Sequence, residues 1–143
     1  MATATKPKVK PFRLIGSKSD SLHEVHEAIA SGLPFTTLAR FLKSFNGSGD
    51  AVLNSLAISP KVLARRKASG RLTMAESGRV YRITRLVELA TKLFEGDSAA
   101  AVDWLNSPAW SFSGETPLYR ARTEAGAYQV EQLIGRIEHG VFS

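Results

Sequence analysis

Between Asp50 and Glu76 the chain holds five basic residues, Lys61, Arg65, Arg66, Lys67 and Arg71, and no acid. Ammonium and guanidinium groups at this density suit one chemistry above others. They neutralise phosphate oxygens, and arginine also reaches the paired acceptors on a guanine edge. Ser59 followed by Pro60 is a helix start, a side-chain cap and then a residue whose missing N–H costs nothing at the first helical position. Upstream, Gly49 or Asp50 opens a shorter helix with Val52, Leu53 and Leu56 apolar, and Ala57-Ile58 forms a tight turn. Short helix, turn and capped second helix make the helix-turn-helix pattern, whose second helix enters the major groove. On that helix, starting at Ser59, residues Lys61, Val62, Ala64 and Arg65 take positions that reach base edges. Arg66, Lys67 and Arg71 are placed to hold phosphates. Leu63 is expected to point to the core with Ile58 and Leu72. A merely solvated basic face is the competing reading.

No other constellation carries chemistry. The chain has no cysteine, which excludes disulfides, thiolate metal sites and a cysteine nucleophile. It has no GxSxG elbow, no GxxxxGKS/T phosphate loop and no GxGxxG. His23 and His26 lie one helical turn apart, one residue short of the HExxH zinc spacing, with no third ligand evident. The chain is therefore expected to be no enzyme and to hold no cofactor and no metal.

The elements that position the basic helix are helical too. Ser21 and Glu24 are spaced as a capping box for a first helix that stops at Gly32. Leu33-Pro34-Phe35 reads as a hinge. A second helix from Thr36 carries Leu38, Phe41, Leu42 and Phe45, and Asn46-Gly47-Ser48-Gly49 breaks it. Thr73 and Glu76 form another capping box. The long helix behind it has two apolar stripes, Val80, Ile83, Val87, Ala90, Phe94 and Leu86, Leu89, Leu93. A band that wide is buried on two sides, shared by two halves of the chain or packed on a second subunit. Asp97 or Ser98 caps a further helix through Asn106. In the loop that follows, Trp110 and Phe112 are read as anchors on the domain core, with an interface role as the alternative. Thr116-Pro117 and Thr123 open two last helices. The final one carries Val130, Leu133, Ile134 and Ile137 on one face and ends at Gly140.

Charge divides the chain as well. The whole carries 19 Lys/Arg and 13 Asp/Glu, but residues 1–94 hold 16 against 6 and residues 95–143 hold 3 against 7. A basic part joined to a mildly acidic one suits two partners of different charge. Residues 1–18, lysine-rich and broken by Pro7 and Pro11, read as an extended arm. No apolar run approaches the roughly 20 residues that span a bilayer. The lysines at the start precede no apolar core, so a signal peptide is not expected. These features predict a cytoplasmic protein with no membrane partner.

The motifs GxTPL at Gly114–Leu118, TEAG at Thr123–Gly126 and RIExGV at Arg136–Val141 occur in order at the end of the chain. This region resembles the C-terminal domain of the Xre/MbcA/ParS-type antitoxins, and the likeness extends upstream to about Leu33. Ser113 stands where such proteins often carry a second glycine, and Tyr119-Arg120-Ala121-Arg122 is more basic than usual. The resemblance implies an antitoxin that inhibits a RES-domain, NAD-consuming toxin and represses its own operon through an Xre-like helix-turn-helix. It implies a homodimer within a toxin–antitoxin hetero-oligomer, bound to operator DNA. Phe142 is an apolar ring close to a carboxylate at Ser143. With the resemblance, this points to Val141-Phe142-Ser143 entering or rimming the toxin's NAD cleft, framed by Tyr128, Arg136 and Glu138. The expected architecture is all-α with about eight helices. Residues 1–18 form the arm, 19–95 the DNA-binding domain with the long helix, and 96–143 the toxin-binding domain. The alternative is a stand-alone transcriptional regulator whose C-terminal domain dimerises.

Overall fold

The computed structural model describes residues 21–45 and 47–140. Among them the α-helices are α1 (Leu22–Ser31), α2 (Phe35–Lys43), α3 (Gly49–Ser55), α4 (Pro60–Ser69), α5 (Met74–Leu93), α6 (Ser98–Leu105), α7 (Pro117–Arg120) and α8 (Glu124–Glu138). A single 3-10 turn, Trp110–Phe112, lies between α6 and α7. The only extended pairing among the described residues is one antiparallel bridge between Pro34 and Arg71, so the fold is all-α. The arm at residues 1–18 lies outside the described residues.

The helices begin where short polar side chains can satisfy their orphan N–H groups. Ser21 accepts from Glu24 N at 3.2 Å, Ser59 from Val62 N at 3.2 Å and Thr73 from Glu76 N at 3.1 Å. Asp97 accepts from Ala100 N at 3.0 Å, Thr116 from Tyr119 N at 3.0 Å and Thr123 from Gly126 N at 2.9 Å. The start of α2 differs: it opens at Phe35 behind Pro34, without a side-chain cap.

The chain divides into two compact units, and the division falls inside α5, between Thr84 and Arg85. In the first unit Leu33, Leu38, Phe41, Phe45, Val52, Leu56, Ile58, Leu72, Val80 and Ile83 are buried. Phe41 and Phe45 meet edge to face, with centroids 5.1 Å apart. The segment read as a hinge is instead locked. Phe35 N–H donates to Gly70 O at 2.9 Å, Leu72 N–H to Leu33 O at 2.9 Å, and Leu33 N–H to the buried Ser77 hydroxyl at 2.8 Å. Gly32 permits this crossing: its φ is +85°, and a Cβ there would lie 2.3 Å from Leu72 O. Sequence spacing could not reveal this, because the partners sit about forty residues away.

In the second unit Leu86, Ala90, Ala101, Leu105, Phe112, Leu118, Ala121, Val130, Leu133 and Ile134 are buried, and α7 packs against both α6 and α8. Of the two stripes expected on α5, Val80, Ile83, Leu86 and Ala90 are fully buried, while Val87, Leu89, Leu93 and Phe94 are half-buried.

Candidate functional site

On α4 no residue is buried. Leu63, expected in the core, is only half-buried, as are Val62 and Arg66. These three turn toward the body of the unit. Lys61, Ala64, Arg65 and Ala68 form the outward face, and Lys67 flanks it, all of them exposed. The small side chains Ala64 and Ala68 beside Lys61 and Arg65 leave these two cations the longest groups on a narrow positive ridge. Ser59 lies at the start of that ridge, its hydroxyl engaged as the cap. Val62, half-buried, is less free to reach outward than Lys61 or Arg65.

Arg66 and Arg71 have internal partners. Arg66 Nε donates to Glu76 Oε1 at 2.8 Å, and the pair is largely shielded, with side-chain exposures of 20% and 7%. The same Glu76 oxygen accepts from Thr73 N at 2.9 Å and closes the capping box of α5. One carboxylate thus ties the surface helix α4 to the start of the long helix. Arg71 donates through NH1 to Gly32 O at 2.6 Å, at the C-terminal end of α1. Arg79 reaches Leu56 O, beyond α3, at 2.6 Å. The arginines that looked most like phosphate clamps therefore also hold the helices around the ridge in place. Sequence reasoning missed Glu76 as the partner of Arg66, although it is the first acid after the basic run.

Burial alone would raise the Glu76 pKa. The hydrogen bonds from Arg66 and Thr73, with the Arg66 charge, outweigh it and hold the carboxyl below its ordinary value of 4.5. The Glu76 bond in turn raises the Arg66 guanidinium. A depressed carboxyl contributes stability that is fully present above its unfolded value and is lost as pH falls through the folded one. Glu76→Gln is therefore expected to lower stability at pH 7 by about 1.5–3 kcal/mol, and to lose less than the wild type between about pH 5 and pH 3. Urea unfolding at about pH 7, 5 and 3 checks both parts; parallel losses in the two proteins contradict the assignment.

In the second unit Tyr128 is 61% exposed and Glu138 is exposed. Arg136 is half-buried, its Nε shielded and without a hydrogen-bond partner among the described residues. It borders a shallow depression of about 340 Å³ lined with Gln132, Gly135 and His139. From Tyr128 to Glu138 the helix advances about 15 Å, so these residues form a strip along α8 rather than a cluster. Val141, Phe142 and Ser143 lie outside the described residues. The loop aromatics part company. Phe112 is a buried anchor, but Trp110, expected beside it in the core, is 89% exposed.

Residues 89–140 match the antitoxin Xre/MbcA/ParS C-terminal toxin-binding domain. Along most of its length the chain is also similar to an Antitoxin Xre of Photorhabdus laumondii subsp. laumondii. The two are 35% identical over 134 residues, 92% of this chain and 90% of that protein. The chain belongs to the Xre/MbcA/ParS antitoxin family. An Antitoxin Xre of Pseudomonas putida is 30% identical over 118 residues, 82% of this chain and 72% of its own. One of Yersinia enterocolitica is 40% identical over 93 residues, 64% and 63% of the two chains.

The antitoxin, one partner of a toxin–antitoxin system, now has physical reasons for its motifs. In GxTPL, Gly114 takes φ +89° and Thr116 caps α7 with Pro117 at its first position. Ser113, just before Gly114, is itself left-handed at φ 55°, a conformation that glycine adopts more readily. In TEAG, Thr123 caps α8 by accepting from Gly126 N, and a Cβ on Gly126 would lie 1.8 Å from Arg120 O. No helix among the described residues is long and apolar enough to cross a membrane.

Proposed function

We propose that this antitoxin neutralises a RES-domain, NAD-consuming toxin through its C-terminal part. In the same reading it represses its own operon by placing α4 in the major groove of operator DNA. The observation that carries the DNA half is the ridge itself. The helix is capped and braced, has no fully buried residue, and leaves Lys61, Arg65 and Lys67 exposed beside Ala64 and Ala68. Lys61 and Arg65 reach base edges and Lys67 a phosphate, while Ser59 and Val62 frame the entry and Arg66 and Arg71 hold the helix at its angle. Two copies bind two half-sites, since single modules of this kind bind weakly and dimers match palindromes. The toxin half is supported by the match of residues 89–140 to a toxin-binding domain and by the acidic balance of residues 95–143. Residues 19–95 serve the DNA and 96–143 the toxin, within one cytoplasmic hetero-oligomer.

Co-expression with a RES-domain toxin tests the partner: the toxin co-purifies, and its NAD consumption falls to background. Within that complex Val141-Phe142-Ser143 excludes NAD, with Tyr128, Arg136 and Glu138 framing the contact. Removing the last three residues is then expected to restore NAD consumption while the melting temperature of the free antitoxin stays within a few degrees. Equal inhibition by the full and shortened chains excludes the tail as the block.

A further inference from the structure

The loop between α6 and α7 presents an indole to solvent on a frame closed by its own hydrogen bonds. Ala109 N–H donates to Glu115 O at 3.0 Å, Gly114 N–H to Ala109 O at 3.2 Å and Glu115 N–H to Phe112 O at 3.0 Å, so the loop closes on itself. Phe112 plugs it into the unit with 5% exposure, and Arg120 lies over the Phe112 ring at 5.3 Å and beside Glu115 at 3.6 Å. Arg120 also donates to Gln129 of α8 at 2.9 Å, which joins loop, α7 and α8 through one side chain. At the top of this frame Trp110 is 89% exposed, more than any other large apolar side chain among the described residues. An indole carries roughly 150–250 Å² of surface whose removal from water is favourable, and here the fold removes almost none of it. The backbone beneath it is held by the loop's own hydrogen bonds, so a partner that covers the ring has only the two side-chain torsions of the tryptophan to order, a small cost for a large apolar area.

We propose that Trp110 is the anchor by which the C-terminal unit docks on its toxin, the indole filling an apolar pocket that offers an acceptor to its N–H. This rests on the toxin-binding reading above. The occupant is the toxin rather than DNA because Trp110 lies inside the matched toxin-binding region and in the acidic part of the chain. The anchor is separate from the tail: Trp110 supplies affinity, whereas residues 141–143 act on NAD entry.

The test titrates the antitoxin chain against a purified RES-domain toxin and follows the dissociation constant. Trp110→Ala is expected to weaken binding about thirtyfold or more, the threshold of a hot spot. Trp110→Phe should recover part of the loss. The melting temperature of the free Trp110→Ala chain should be unchanged, because the ring supports nothing internal. If the wild type binds and Trp110→Ala binds equally well, the anchor is overturned while the toxin reading stands. If the wild type does not bind the toxin, both fall together. If Trp110→Ala keeps toxin affinity but turns a dimer into a monomer by sedimentation, the indole belongs to a second copy and the proposal is wrong.

Discussion

Gly126→Ala is expected to cost at least about 3 kcal/mol, a large share of the roughly 5–15 kcal/mol that holds a domain folded. The reason is local and rigid. The added methyl would sit 1.8 Å from Arg120 O and 3.0 Å from Thr123 Oγ1, both held in place. The carbonyl is part of α7, and the hydroxyl caps α8, so neither can withdraw without breaking a helix end. The α7–α8 corner must open, and with it the seating of Leu118 and Ala121, which are almost wholly buried. Gly135 in the same helix is the control, because nothing lies within 4 Å of its Cβ position. There alanine should add about 0.5–1 kcal/mol by removing glycine's excess unfolded-state freedom. Denaturant midpoints of the two variants should move in opposite directions, and toxin neutralisation should be lost only in Gly126→Ala. A tolerated Gly126→Ala would mean the corner is looser than its contacts indicate.

Changing Lys61, Arg65 and Lys67 together to alanine is expected to abolish operator binding at physiological salt while leaving toxin neutralisation intact. Each base contact contributes about 1–3 kcal/mol of discrimination, so Lys61→Ala and Arg65→Ala should relax base preference at separate positions. Lys67→Ala should weaken all sequences alike and lower the slope of log affinity against log salt by about one unit. All three side chains are exposed and have no internal role in the fold, so thermal stability should hardly change. Arg66→Ala is different in kind. It leaves the Glu76 carboxylate shielded without its partner, so lost DNA affinity should come with lost stability. Anisotropy titrations at several salt concentrations, beside melting curves, separate the two groups. If the triple variant retains full operator affinity, α4 is not the DNA contact.

Local chemistry written in consecutive residues was legible without the structure. Ser21, Ser59, Thr73, Asp97, Thr116 and Thr123 cap helices because a short oxygen three residues ahead of a free N–H needs no tertiary partner. The apolar spacing behind the caps marked many of the buried positions, Leu38, Phe41, Val80, Ile83, Val130 and Ile134 among them, and the family motifs at 114–141 marked the kind of protein. What depended on distant residues was not legible. Leu63 and Ile58 look equally apolar in sequence, yet α4 lies at the surface and Leu63 is only half-buried while Ile58 is enclosed. Arg65 and Arg66 are neighbours of the same type. The helix turns one outward and brings the other to Glu76, ten residues away, which separates a candidate base reader from a brace. Trp110 and Phe112 stand two apart in one loop, and only the closure of that loop decides that the phenylalanine goes in and the tryptophan stays out. Caps and periodicity act through the chain's own next turn, whereas rotation of a helix against its neighbours and the direction of a loop side chain are set by contacts remote in sequence.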